Sequence, residues 1–255
     1  MTATLVVPYR FRGPANSGNG GWTCGALAAV LGTGSPAVRV RLSAPPPLDV
    51  PMTLTRFSPP APGAGVRLHH GDQLVAEAIR TADAEDALAA VPPADPDPEV
   101  AFAMALDAAA RYPGRVDHPF PTCLACGTGR EDGDGLRLAP GPGEPPDGAV
   151  SAAWVPHPAL DDGTGHVDLP ITWAGLDCPG GWSADMLGRP MVLGTMTARV
   201  ERRPAIGERC VVRGLAGQGS GRTVPTRTTL YGSRGEILAV AAQVWVVVDP
   251  GAFNG

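Results

Sequence analysis

The sequence predicts an α+β protein of two similar halves, each a central helix wrapped by a curved antiparallel sheet. Three observations carry this. Each half holds one helix-compatible run of small residues. Each such run is followed by alternating apolar and polar segments joined by tight turns. These features recur in the same order at an offset of about 160 residues, the mark of a duplicated unit.

In the first half, "NSGNGGWTCGALAAVLG" reads as a glycine-rich turn entering a helix of small residues. "AVRVRLSAPPPLDVPMTLTRF" follows as strand, proline-rich turn and strand. "GVRLHHGDQLVAEAIRTAD" places two alternating runs around His70-Gly71-Asp72, a hairpin signal. The second half repeats the order. "ITWAGLDCPGGWSADMLG" is its helix region, with Pro179-Gly180-Gly181 ending the helix just after Asp177, since Cys178 before a proline avoids the α region. "MVLGTMTARVERRPAIGERCVVRGL" is strand, turn, strand, and "RTVPTRTTLYGSRGEILAVAAQVWVVVD" closes as a hairpin at Ser233-Arg234-Gly235. The closest repeats are "RLSAPPPLDVPMTL" with "RVERRPAIGERCVV" and "VRLHHGDQLVAEA" with "TTLYGSRGEILAVAA".

Between the halves, "AAVPPADPDPEV" reads as a linker. "PEVAFAMALDAAARY" then forms an amphipathic helix that starts near Pro98 and stops at Pro113-Gly114. "CLACGTGREDGDGLRLAPG" is a turn-rich entry into a strand "GLRLA", and "GAVSAAWV" is the next strand. The expected organisation is an N-terminal domain at 1–97, a linker helix at 98–116 and a C-terminal domain at 117–255.

Composition narrows the function classes. The 255 residues are 44% hydrophobic and 18% charged, enough for a sizeable core. The net charge is −5 and no basic block occurs, so the electrostatic footprint of a nucleic-acid binder is missing. No basic start followed by a long apolar run suggests a signal peptide, and no stretch suggests a membrane span. Five cysteines, sparse and odd in number, suit a cytoplasmic protein with reduced thiols. All 20 basic residues are arginine, a bias that points to a GC-rich, actinobacterial genome.

Three segments resemble a known group, the hotdog-fold, thioesterase-like superfamily in its double-hotdog form. "CLACGTGREDGDGLRL" is similar to the Cys-x-x-Cys-Gly entry of many acyl-CoA thioesterases. "WAGLDCPGG" is similar to the helix of actinobacterial thioesterase-like proteins, and "GRTVPTRTTLYGSRGEILAVAAQVW" to the closing hairpin of hotdog domains. The resemblance covers most of 117–248; in the first half it rests on "SGNGGW…ALAA" and the closing hairpin. It implies two tandem hotdog domains packed as a pseudo-dimer. The implied activity is hydrolysis of an acyl-CoA or acyl-carrier-protein thioester, with CoA or phosphopantetheine entering only as part of the substrate. No metal or other cofactor is implied. Exposed sheet edges in double hotdogs often pair, so a homodimer is compatible.

The candidate residues follow. Glycines ahead of a helix leave its first amides free, and these amides, aided by the helix dipole, can hold a developing oxyanion. Asn19-Gly20-Gly21 matches the resembled pattern at this point, with Asn in place of His. A glycine-rich loop with an Asn cap is the structural alternative. Related thioesterases place a carboxylate about nine residues further along the helix. Nine residues after Asn19 comes Ala28, and nine before Asp177 comes Asp168 with no glycine pair behind it. The first half thus keeps the open turn and the second keeps the acid. One working site would join Gly20 and Gly21 to Asp177 across the duplication, with Asp177 activating water. Asp177 as a cap of the Pro-Gly-Gly turn stays open beside this, as does a register laying Gly180–Trp182 on Gly20–Trp22. Trp22, Trp173, Arg222 and Arg227 are assigned to the substrate, the arginines for CoA phosphates.

Cys123 and Cys126 form a CxxC without a second pair or a nearby Cys/His cluster, which favours a structural turn over a zinc site. Cys178 has no His placed by sequence to make it a nucleophile. His166, His69 and His70 read as surface or turn residues. Gly217, Gly219 and Gly221 lack the helix that a dinucleotide fingerprint needs. Two other functions remain open: a hotdog dehydratase or other acyl-thioester-modifying enzyme, and a non-catalytic acyl-CoA-binding protein.

Overall fold

The computed structural model describes residues 3–32, 37–58, 64–81, 88–143, 147–249 and 251. The last two residues of the first-half hairpin quotation, Ala82 and Asp83, lie outside them.

The first half contains β1 (Thr4–Leu5), α1 (Gly20–Leu31), β2 (Ala37–Leu42), β3 (Met52–Phe57), β4 (Gly65–His70) and β5 (Gln73–Thr81). α2 (Pro98–Ala108) follows. The second half contains β6 (Gly141–Pro142), β7 (Ala149–Trp154), α3 (Leu169–Trp182), β8 (Met191–Val200), β9 (Cys210–Ala216), β10 (Thr223–Tyr231) and β11 (Ile237–Val247). All strands join one antiparallel sheet in the order β1-β3-β4-β5-β2-β8-β11-β10-β9-β7-β6. Apart from β6, the order is symmetric about the β2–β8 pair. In each half the first strand after the helix sits at the junction, and the last strand of that half, β5 or β11, lies next outward.

The junction is the pairing of β2 with β8, from Val38 opposite Ala198 to Arg41 opposite Thr195. Alternation sets the faces there: Val38 and Val40 point into the core while Arg39 and Arg41 face solvent. α1 and α3 lie side by side against the inner face of the sheet. Each is apolar or small on all sides, as a helix enclosed by a sheet must be. Twelve of the fourteen residues of α3 are buried.

Two expectations are corrected. The run "GLRLA" forms no strand: Arg137 at its centre sits at φ 53°, which breaks an extended course, and its Leu136 and Leu138 amides bond to the carbonyls of Leu124 and Ala125, laying it on the CxxC turn. α3 does not end at Pro179. The helix continues to Trp182 with the proline inside it. An interior proline costs about 3 kcal/mol in an isolated helix, but enclosure by the sheet outweighs that propensity. Gln243 on β11 supports the interrupted turn. Its Nε2 donates to the carbonyls of Leu176 (2.6 Å) and Asp177 (3.2 Å), and its Oε1 accepts from the hydroxyls of Thr226 (2.7 Å) and Thr228 (3.0 Å).

Every member of this buried network has a partner, so removing its hub strands several polar groups at once. Gln243→Leu is expected to destabilise the protein by about 2–3 kcal/mol. The measurement is a lower denaturation midpoint at unchanged m-value. An unchanged midpoint would show that the network contributes nothing.

α2 is capped by Asp97, whose carboxylate accepts from the amides of Glu99 and Val100. It lays Ala101, Phe102 and Ala105 on Val211 and Tyr231, covering part of the outer face of the second half. No helix among the described residues is long and apolar enough to cross a membrane.

Candidate active site

The two central helices touch backbone to backbone. A Cβ on Gly21 would stand 2.6 Å from Asp177 Cβ, and one on Gly25 would stand 2.7 Å from Pro170 Cα. Glycines one turn apart on α1 therefore set the helix separation, and that separation brings Asp177 to the N-terminus of α1.

Asp177 is 2% exposed. Its Oδ2 accepts from the Gly21 amide at 2.9 Å and from Asn19 Nδ2 at 3.0 Å. Among the described residues its buried Oδ1 has no hydrogen-bond partner. Asn19 also caps α1, its Oδ1 accepting from the Trp22 amide at 2.8 Å. The cap and the contact between the two central helices are thus made by opposite ends of one side chain. Burial pushes the Asp177 carboxyl up to about 7; the nearby Cys123 adds to the rise, and the Gly21 and Asn19 donors oppose it.

A cavity of about 230 Å³ opens beside this contact. Asn19, Gly20 and Asp177 form one wall, and apolar side chains such as Leu42, Phe120, Met191 and Leu193 form most of the rest. An apolar slot ending at a carboxylate and a helix N-terminus suits a substrate with a hydrophobic chain and a reactive carbonyl.

The sequence reading joined Asn19, Gly20 and Gly21 to Asp177; Asn19 and Gly21 hydrogen-bond to it, and Gly20 lines the same cavity. The Gly21 amide, however, is directed at the carboxylate, leaving Gly20 as the glycine on the cavity wall. Asp177 does not cap the Pro-Gly-Gly turn, and the register laying Gly180–Trp182 on Gly20–Trp22 fails, since one triplet opens α1 and the other closes α3. Asn19 and Asp168 are the matching N-caps, which puts Ala28 opposite Asp177 in the internal symmetry. The symmetric counterpart of the site therefore has Pro170, without an N–H, where Gly21 stands, and no acid.

The four residues assigned to substrate lie elsewhere. Trp22 is buried and stacks on Phe11 with ring centroids 4.6 Å apart. Trp173 packs beneath Gly25 in the helix interface. Arg222 donates to the Val247 carbonyl, and Arg227 is exposed on β10. None of them lines the cavity, whereas Trp182 and Trp245 do. Indole position in a buried helix depends on which face meets the sheet, and a run apolar on all sides gives no sign of it.

The CxxC turn is also a wall of this cavity. Arg130, its side chain buried, donates to the carbonyls of Thr122 and Arg12, and the Leu124 amide bonds to the Arg12 carbonyl, so the turn is stitched to the first half. Cys178 lies 3.6 Å from Cys123, and His118 Nε2 lies 3.5 Å from Cys126. The expectation of no Cys/His cluster is therefore wrong. Its third cysteine comes from a helix 55 residues downstream of Cys123, a distance at which spacing carries no signal.

No family model and no curated protein matches the sequence. Solved structures do match. A Novosphingobium aromaticivorans protein with a provisional thioesterase name is 16% identical over 96% of this chain and 95% of its own, with a TM-score of 0.60. A hot dog fold protein of unknown function from Alicyclobacillus acidocaldarius is 14% identical over 97% and 92%, with a TM-score of 0.59. A tesB protein of Mycobacterium avium subsp. paratuberculosis is 13% identical over 92% and 89%, with a TM-score of 0.55. At these identities the likeness is one of fold, and it spans nearly the whole chain: the protein has the hotdog fold.

Proposed function

We propose that the protein is a thioester hydrolase built as two tandem hotdog domains, 1–97 and 117–255, with one working site per chain. The observation that carries this reading is the contact of Asp177, on the helix of one half, with Asn19 and Gly21 at the helix N-terminus of the other, beside an apolar cavity. The acyl chain of an acyl-CoA or acyl-carrier substrate lies in the cavity with its carbonyl at the Gly20 amide. Asp177 Oδ1 takes a proton from water as the water oxygen bonds to the carbonyl carbon. The oxyanion collapses, the C–S bond breaks, and the thiolate leaves with the proton returned from Asp177. Gly21 and Asn19 hold the carboxylate in place.

The test is thiol release from acyl-CoAs of graded chain length. The expected result is turnover that rises with chain length until the cavity is filled. Tight binding of acyl-CoA without thiol release would instead establish a binding protein. Conversion of a β-hydroxyacyl thioester without thiol release would establish a dehydratase.

A further inference from the structure

We propose that Cys123, Cys126 and Cys178 form a three-thiolate site for a soft metal ion of the zinc class. This inference does not rest on the proposed thioester hydrolysis. The three sulfurs lie within 4.8 Å of one another, and Cys123 and Cys178 are 3.6 Å apart. A tetrahedral ion with metal–sulfur bonds of about 2.3 Å separates its sulfurs by about 3.8 Å. The cluster is thus already spaced to close on an ion with small side-chain movements.

The turn has the matching form. Cys123-Leu124-Ala125-Cys126-Gly127 is a Cys-x-x-Cys-Gly knuckle, closed by the Gly127 amide on the Cys123 carbonyl at 2.9 Å. A Cβ on Gly127 would meet the Cys123 and Pro121 carbonyl oxygens at 2.5 Å, so the turn excludes any side chain there. Side-chain N–H groups face the cluster: Asn19 Nδ2 lies 3.7 Å from the Cys123 sulfur, and Trp182 Nε1 lies 3.4 Å from the Cys126 sulfur. Buried thiols, as weak acceptors, have little use for so many N–H donors. Thiolates need them, and a metal ion neutralises the thiolate charge where solvent cannot.

His118 is not a fourth ligand in this arrangement. Its Nδ1 accepts from the Phe120 amide at 3.0 Å, which leaves the proton on Nε2, 3.2 Å from the Cys126 carbonyl. It serves instead as a further donor beside Cys126. The three cysteines all border the cavity, so the remaining coordination position is open on that side.

The test uses the full chain, reduced, stripped of metal and kept anaerobic, titrated with Co²⁺ and then with Zn²⁺. Expected are one equivalent of cobalt per chain, a thiolate-to-cobalt charge-transfer band, displacement by zinc, and a zinc-dependent rise in melting temperature. Cys126→Ser and Cys178→Ser should each weaken binding by about 100-fold or more, since even loss of an outer-shell partner costs roughly 10–100-fold. Cys210→Ser, at a buried cysteine outside the cluster, should bind as wild type does. The wild-type titration decides the matter even if a cluster variant fails to fold. Absence of the charge-transfer band in the wild type, equal binding by Cys126→Ser, or equal loss in Cys210→Ser would overturn the proposal. So would a Cys123–Cys178 disulfide in the purified protein that, once reduced, takes up no metal.

Discussion

Replacing Asp177 by Asn is expected to lower kcat for thioester hydrolysis by about 10²–10⁴-fold, the range typical of a lost general base. The fold should survive. Asn is nearly isosteric, and its oxygen can accept from the Gly21 amide and Asn19 Nδ2 as the carboxylate does at 2.9 and 3.0 Å. What it cannot do is take a proton from water. Binding of a non-hydrolysable acyl-CoA analogue should therefore stay close to wild type while turnover collapses. Equal thiol release by wild type and variant would remove Asp177 from the mechanism, whatever the cavity binds. Equal loss of binding and turnover would assign it a role in shaping the cavity.

The second large effect is expected at Gly21. Gly21→Ala puts a methyl carbon 2.6 Å from Asp177 Cβ, 2.9 Å from the Trp173 carbonyl oxygen and 3.0 Å from Ala174 Cα. Two of these three atoms are backbone, so no rotamer change relieves the clash and the helices must separate. A loss of about 2–3 kcal/mol follows from overpacking, seen as a melting temperature lower by roughly 4–12 °C. Because the same contact positions Asp177, activity should fall in the molecules that remain folded. Gly20→Ala is the control. The three atoms nearest its Cβ belong to the side chains of Leu193 and Leu42, from 2.9 Å, and a smaller loss of stability is expected. A Gly20→Ala variant as unstable as Gly21→Ala would show that helix separation is not what Gly21 sets.

Much of the fold was legible in the chain. Val38, Arg39, Val40 and Arg41 alternate because β2 has one buried and one solvated face, and a period of two survives in any register. The turns at Gly71 and Gly235 are marked by residues held at positive φ, a backbone state local to the turn itself. The pairing of an open turn in one half with an acid in the other was also legible, because each piece is a short contiguous motif.

Other features were not. Pro179 reads as a helix end under local propensity, yet the sheet around α3 and the Gln243 side chain carry the helix through it. Trp22, Trp173, Arg222 and Arg227 carry chemistry suited to a substrate, but the direction a side chain takes is set by the face its element turns to its neighbours. Trp182 and Trp245 reach the cavity for the same reason.

By itself, then, the sequence determined the two-part α+β architecture, the turns and the strand faces, since these depend on near neighbours along the chain. Tertiary structure alone decided that the Gly21 amide holds Asp177, and that Cys178 completes a thiol cluster with Cys123 and Cys126. Those outcomes depend on how closely two helices approach, and glycine at positions 21 and 25 permits that approach only once a sheet encloses both helices.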